Sequence, residues 1–199
     1  VLEFGTHYVE SAHLESAVRP HLQRVRDLTG DSSSLALLSR GEVLYLVHVS
    51  TERMVQLDAG VGTRFPAYNT SLGKVLLTGL SLSEIETYLQ RVAMVKTTDK
   101  TVTSKSDFKD TLRLASENAY ATSQDELDYG IVSVAVPITA DNGQVVAAIN
   151  CSTSTSRVSL DEMLSNRLPI LREAAGAIGK EIRDSRALSR AMTVSSIPD

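Results

Sequence analysis

The chain has 199 residues, 42% hydrophobic and 22% charged, with a net charge of −4 and one cysteine, Cys151. That is enough for one sizeable core, and it excludes an intrachain disulfide or a cysteine-based zinc site. A DNA-gripping surface on this chain is disfavoured too, because no basic run exists: even the stretch Arg183 to Arg190 contains Asp184.

No apolar stretch approaches the ~18 residues of a membrane span, and no signal-peptide pattern opens the chain. The expected location is the cytoplasm. The opening at Val1, without Met, reads as a piece of a longer protein.

Leu14, Val18, Leu22 and Val25 recur at helical spacing. Pro20 falls within this run, so two short helices are predicted, the second starting near Arg19. "SLALLS" and "EVLYLVHVS" read as strands around a tight turn at Arg40-Gly41, and "RMVQLDAGVG" as a third strand running into a loop. A short helix over 71–80 ends at Gly79. The next starts at Ser81, with Glu84 at capping-box spacing. A polar connector leads to a helix whose face carries Phe108, Leu112, Ala115 and Ala119.

"YATSQ" is then a short strand. "IVSVAVPI" alternates, with Val132, Val134, Val136 and Ile138 on one face and Ser133, Ala135 and Pro137 on the other. Asn142-Gly143 signals a hairpin, and "QVVAAINCSTS" is the returning strand. The last helix carries Leu164, Leu168, Leu171, Ala175, Ile178 and Ile182 as a core or subunit-packing stripe, kinked at Pro169. The order predicts an α+β fold: an antiparallel sheet of about six strands with helices on its faces.

No catalytic motif is present: no G-x-S-x-G elbow, no P-loop, no H-E-x-x-H. "GVGTRF" lacks the third glycine of a dinucleotide loop. His7, His13 and His21 do not stack on one helical face, and no metal site is expected from them. The reading is a non-enzyme without cofactor or metal. Cys151 sits among small residues as a buried structural thiol.

Polar residues stand where a bland core would be apolar. Asn150 and Ser152 share one face of the last strand, Ser133 lies on the small-residue face of its partner, Ser123 and Gln124 end the short strand, and Ser71 opens a helix. If these strands are neighbours, hydroxyls and an amide converge near a helix start, where free N–H groups suit a carboxylate. Otherwise the same residues simply occupy the solvent face of a sheet. Within "VGTRFPAYNTSLGKVLL", Gly60 and Gly62 permit unusual backbone angles, and Asn69 or Thr70 caps the helix. Gly73 allows close helix–strand packing, Lys74 reads as a solvated cation, and Arg64 as a structural ion-pair partner.

Two stretches carry a family resemblance. "RFPAYNTSLGKVLLTGL" resembles the segment that opens the central helix of the effector-binding domain in IclR-type bacterial transcription regulators. "YATSQDELDYGIVSVAVPITADNGQVVAAINCSTSTSR" is similar to their E-x-x-x-G step, A-x-P-I strand, D-x-x-G turn and final V-A-A strand. "LEFGTHYVES" resembles the linker helix that follows their winged helix-turn-helix. "GDSSSLALLSRGEVLYLVHV" resembles the aromatic-catabolism branch, the protocatechuate and 4-hydroxybenzoate regulators of the β-ketoadipate pathway.

The resemblance implies a GAF-like effector domain, with residues 1–18 as linker helix, 19–187 as effector-binding domain and 188–199 as tail. It implies a small, aromatic carboxylic acid as ligand, a homodimer or homotetramer, and DNA contact only through an N-terminal domain not in this sequence. The family's carboxylate positions fall on Ser71 and Leu72 (backbone amides), Ser123, Ser133, Asn150 and Ser152, with Ile131 on a wall. Tyr45, Met54, Gln124, Tyr129 and Cys151 are further candidates for pocket lining. Members that bind small keto acids carry an acidic residue at Ser123, Cys at Ser133 and Ser at Asn150; the changes keep the polarity and leave the particular ligand open. The rival readings are a GAF-like sulfoxide reductase, opposed by the lone cysteine, a signalling sensor for a nucleotide, and an interaction module without ligand.

Overall fold

The computed structural model describes residues 2–51 and 60–185, and the side chains from residue 13 onward. Met54 and most of the expected strand at 53–62 lie outside the described residues. The elements in chain order are α1 (Leu2–Thr29), β1 (Ser32–Ser39), β2 (Glu42–Val49), β3 (Arg64–Pro66), α2 (Ser71–Leu77), α3 (Leu82–Arg91) and α4 (Lys105–Asn118). β4 (Ala121–Gln124), β5 (Ile131–Thr139), β6 (Val145–Ser154), α5 (Leu160–Glu162), a π-helical turn (Met163–Arg167) and α6 (Leu168–Asp184) follow.

Six strands form one sheet in the order β3-β2-β1-β6-β5-β4, and every pairing is antiparallel. The α+β expectation holds. The chain folds two hairpin units, β1–β2 and β5–β6, and joins them through β1 and β6. Arg40 and Gly41, at φ of 57° and 79°, make the tight turn of the first.

Strand alternation splits the interior in two. On one face Leu35, Leu37, Val47, Val49, Val132, Val134, Val136, Ile138, Ile149 and Cys151 pack against α1 and α6. The stripe of the last helix belongs to this core: Leu168, Leu171, Ala175, Ile178 and Ile182 are buried and Leu164 packs at its margin. On the other face Ala36, Ala135 and Ala148 are small, and α2 and α4 come down on them through Leu72, Val75, Leu76, Phe108 and Leu112.

Three expectations need correction. Pro20 does not split the first helix, which runs unbroken from Leu2 to Thr29. A mid-helix proline costs about 3 kcal/mol, but Leu14, Val18, Leu22 and Val25 are each at most 3% exposed. Burying four such side chains contributes roughly 1.5–3 kcal/mol apiece, which outweighs the break. Residues 64–66, read as loop, form β3, which pairs with β2 through Glu42, Val43 and Leu44. Pro66 is tolerated there because β3 is an edge strand. Gly73 makes its close approach to the loop rather than to a strand: an added Cβ would lie 2.1 Å from the Ala67 carbonyl oxygen. Pro169 does mark a distortion. The Leu168 N–H reaches Met163 O across a wide turn just before it, and the proline sits in the first turn of α6.

Candidate functional site

The register places serines in a row across three strands. Ser123 of β4 pairs with Ser133 of β5, and Ser133 pairs with Ser152 of β6. One step along, Ala135, Asn150, Ser34 and His48 form the next row. Because side chains alternate, Ser133 and Asn150 turn to the side of the sheet that carries the small residues. There is room there for the start of α2.

Thr70 is the N-cap of α2. Its Oγ1 accepts from the Gly73 N–H at 3.1 Å and its carbonyl accepts from the Lys74 N–H at 3.0 Å. A helix leaves its first N–H groups without partners in its own ladder, so those of Ser71 and Leu72 remain. Ser71 Oγ lies 2.8 Å from Ser133 Oγ, a hydrogen bond that ties helix to sheet. Ser123 Oγ donates to the Asn69 carbonyl at 3.0 Å.

Asn150 is held from behind. Its Oδ1 accepts from the Ser34 N–H at 3.1 Å, which fixes the amide and leaves its NH₂ to donate. The Tyr45 hydroxyl receives that bond, and burial of the phenol pushes its pKa up against this opposing contact. Tyr45 therefore keeps its own proton to offer. Its ring packs edge-on against Phe65 at 5.4 Å.

These groups surround one cleft of about 340 Å³, counted out to its open mouth. It is lined by Tyr45, Asn69, Thr70, Ser71, Leu72, Ser123, Leu127, Ile131, Ser133, Asn150 and Ser152. None of the lining side chains is charged. All seven residues matched by family resemblance come together here, and Tyr45 joins them. The lining sets neutral hydrogen-bonding groups beside an apolar wall of Ile131, Leu127 and Leu72.

Three candidates do not reach it. Cys151 points to the opposite face, because it lies between Asn150 and Ser152 on a strand. Its thiol is buried near Asp31 and Thr29, and burial pushes it up to about 12. Gln124 is exposed for the same reason of alternation, being next to Ser123. Tyr129 is 60% exposed, and its hydroxyl accepts from the Asp99 N–H at 3.1 Å. The loop 125–130 carries Tyr129 outward and gives the inward position to Leu127.

Lys74 is also corrected. It is not solvated but 3% exposed, and its Nζ donates to Glu126 Oε1 at 2.5 Å and to the Thr122 carbonyl at 3.0 Å. Burial pushes the ammonium down from its ordinary value, while Glu126 opposes that fall. The pair clamps α2 to the loop that bears Leu127.

Arg64 pairs with Glu42 at 3.4 Å and donates to the Ser39 carbonyl at 3.1 Å, away from the cleft. Gly62 has a positive φ of 87°, whereas Gly60 does not. His21 meets Glu181 at 2.9 Å. Among the described residues no group of three His, Cys, Asp or Glu could hold a metal ion, and no helix is long and apolar enough to cross a membrane.

A curved antiparallel sheet with a polar-lined cleft under a capped helix defines a small-ligand-binding α+β domain. Residues 6–180 match the family model described as bacterial transcriptional regulator IclR C-terminal, and the chain belongs to that family. It is 33% identical over 176 residues to the Pca regulon regulatory protein of Pseudomonas putida, covering 88% of this chain and 60% of that protein. It is 30% identical over 183 residues to the p-hydroxybenzoate hydroxylase transcriptional activator of Acinetobacter baylyi, covering 89% and 68%. Among solved structures, an IclR homologue from Microbacterium hydrocarbonoxydans complexed with 4-hydroxybenzoate superposes with a TM-score of 0.79 at 27% identity, covering 88% of this chain and 70% of that one. The chain thus spans about 60% of the length of the Pseudomonas relative.

Proposed function

We propose that this chain is the sensor part of a transcription regulator and that its cleft binds a small aromatic carboxylic acid. The observation that carries the reading is the convergence of Ser71, Ser123, Ser133, Asn150, Ser152 and Tyr45 on one uncharged cleft of about 340 Å³. The carboxylate is received by the Ser71 and Leu72 N–H groups and the hydroxyls of the serine row, and the ring lies on Ile131, Leu127 and Leu72. The hydroxybenzoate connections of two relatives support the same class. A polar cleft of this kind disfavours an interaction module with no ligand.

In this reading residues 1–18 continue α1 toward a DNA-binding domain, residues 19–187 sense the acid, and residues 188–199 are a tail. The protein acts as a homo-oligomer in the cytoplasm and performs no catalysis. The acid controls DNA binding only to the extent that it binds one arrangement of the domain more tightly than another. The direct route is mechanical: Asn150 and Ser152 flank Cys151 on β6, and Cys151 packs in the core formed with α1.

A thermal-shift panel of 4-hydroxybenzoate, protocatechuate, β-ketoadipate, pyruvate and glyoxylate tests this. A ligand at ~100 times its Kd adds about 2.7 kcal/mol, a rise of roughly 5–11 °C for a chain of this size. A shift with an aromatic acid and none with the keto acids is expected. Stabilisation by glyoxylate alone would overturn the aromatic assignment, and no shift with any compound would remove the acid site.

A further inference from the structure

A second groove opens away from the cleft, at the β5 edge of the sheet. β4 pairs with residues 132–135 of β5 and stops, so residues 136–139 have no further strand beside them among the described residues. Along this open edge α6 presents Arg172, Gly176, Gly179 and Arg183 at i, i+4, i+7 and i+11, a single stripe of one helical face. With Pro137 and Thr139 of β5 they bound a groove of about 490 Å³, counted out to its open mouth. The glycines make the space. A Cβ added at Gly176 meets nothing within 4 Å, and one at Gly179 would lie 3.1 Å from Arg183 Nη1, so the bare position lets that arginine fold back along the helix.

The charged side chains of this lining are the two arginines, one at each end. The Arg172 guanidinium lies 5.7 Å from the centre of the Tyr120 ring and donates to the Asn118 carbonyl at 3.0 Å. These contacts hold it in place, yet it pairs with no carboxylate among the described residues, and most of its five N–H groups are left to donate. Arg183 meets Asp141 at 3.3 Å, but that carboxylate is 86% exposed, and so open an ion pair is easily exchanged. The stripe does not suit a second copy of itself, because an antiparallel α6 laid on it would set arginine against arginine. Nor does it suit an added strand, because Pro137 has no N–H for the ladder.

We propose that this groove binds a small metabolite carrying a phosphate at each end, one phosphate on Arg172 and the other on Arg183. Both arginines are exposed, so one carboxylate on either gains little. A phosphate brings a second charge and oxygens that match the guanidinium fork, and linking two of them makes the second contact intramolecular. The arginines stand eleven residues apart, roughly 16 Å along the axis, and the fold-back of Arg183 to Gly179 shortens this to about 10 Å. A hexose phosphorylated at both ends covers that span. α6 is tied to α1 by Glu181 and His21 at 2.9 Å, so in the sensor reading this is a second input to the helix that leads toward the DNA-binding domain. The site itself stands independently of what the cleft binds.

Calorimetric titration of the chain at low ionic strength tests the proposal, with fructose 1,6-bisphosphate, fructose 6-phosphate and adipate as probes. The bisphosphate is expected to bind about tenfold or more tighter than either of the others, and to weaken as salt is added. Arg172→Gln and Gly176→Leu are each expected to lower its affinity at least about tenfold and to leave 4-hydroxybenzoate binding unchanged. Gly176→Leu is the safer variant for folding, since its side chain enters open space and leucine is the better helix former. Absence of bisphosphate binding overturns the proposal. So does equal affinity for the monophosphate or adipate, or an affinity that survives Gly176→Leu. Loss of 4-hydroxybenzoate binding alone would count against the cleft and not against this groove.

Discussion

The two faces of the sheet are made by alternate residues of the same strands, yet they solve different problems. On the α1 and α6 side, Val132, Val134, Val136, Ile149 and Cys151 meet a continuous aliphatic surface. On the α2 side the intervening positions are Ser133, Ala135, Ala148, Asn150 and Ser152, and they meet a short capped helix across hydroxyls. Where the first face has to stay dry and filled, the second keeps a gap. Its polar groups tie the start of α2 to the sheet, as Ser71 does with Ser133 at 2.8 Å, and they also line the cleft. Buried charge is present on both. Asp31 is gripped by Arg157 at 3.0 Å and Arg167 at 3.2 Å beside the first face, and Lys74 is paired with Glu126 beside the second. These pairs brace the ends of elements and do not enter the cleft.

The largest expected effect breaks that brace. Lys74→Met leaves Glu126 buried without its cation. Removing one member of a buried pair costs about 3–5 kcal/mol, a fall in Tm of roughly 6–20 °C for a chain of this size. The double variant Lys74→Met, Glu126→Leu is expected to recover most of the loss, since an apolar pair of similar volume is often neutral. Calorimetric melting of the three proteins checks it. A single variant as stable as wild type would show that the pair does not hold α2 to the loop at 125–130.

Next comes a truncation on the dry face. Leu171 is 0% exposed on α6, and Leu171→Ala costs about 2–5 kcal/mol through lost contacts and a cavity. The two faces are separate cores, so acid affinity is expected to stay within a few-fold at temperatures where the variant is folded. A large loss of affinity with retained folding would mean that the faces are more tightly coupled than the sheet between them suggests.

Asn150→Leu stands between these cases. It removes a cleft donor and also strands the Ser34 N–H that bonds Oδ1 at 3.1 Å. An orphaned buried donor costs about 1–3 kcal/mol, so both melting temperature and acid affinity are expected to fall. Ser152→Val changes a side chain of the same row that is only partly buried. It is expected to weaken acid binding while moving stability by less than about 0.5 kcal/mol. Titration and melting of the two variants side by side separate the scaffold role from the binding role. If Ser152→Val leaves affinity intact, that hydroxyl is not a ligand contact.

The difference between the faces was readable in the sequence where period-two alternation governs. Val132 to Ile138 against Ser133 to Pro137 gave both cores and most of the cleft, because a strand assigns faces by parity. The same rule excludes Cys151 and Gln124, each one residue away from a lining position. Two other features lay beyond local pattern. Pro20 reads as a break unless the burial of four side chains around it is known, and that burial is tertiary. Lys74 reads as solvated because nothing near it in the chain neutralises it: Glu126 is 52 residues away and arrives only when β4 is laid beside α2. Asn69 and Thr70 are both legible as cap candidates, and the fold gives the role to Thr70, whose Oγ1 accepts from the Gly73 N–H.

The smallest expected effect is at Tyr129, and it tests where the cleft ends. The side chain is 60% exposed and its hydroxyl accepts from the Asp99 N–H. Tyr129→Phe removes an exposed hydrogen bond whose donor water can satisfy, so stability is expected to move by less than about 0.5 kcal/mol. Acid affinity should not change, because Leu127 and Ile131, and not Tyr129, carry this loop into the cleft. Melting and titration against 4-hydroxybenzoate read both quantities. A clear loss of affinity in Tyr129→Phe would mean that the loop at 125–130 turns inward when the acid arrives, and that the cleft is completed by a residue it does not now touch. The Lys74–Glu126 clamp opposes such a turn, since Glu126 would have to leave a buried ammonium to follow it. For that reason the unchanged affinity is the outcome that the packing favours.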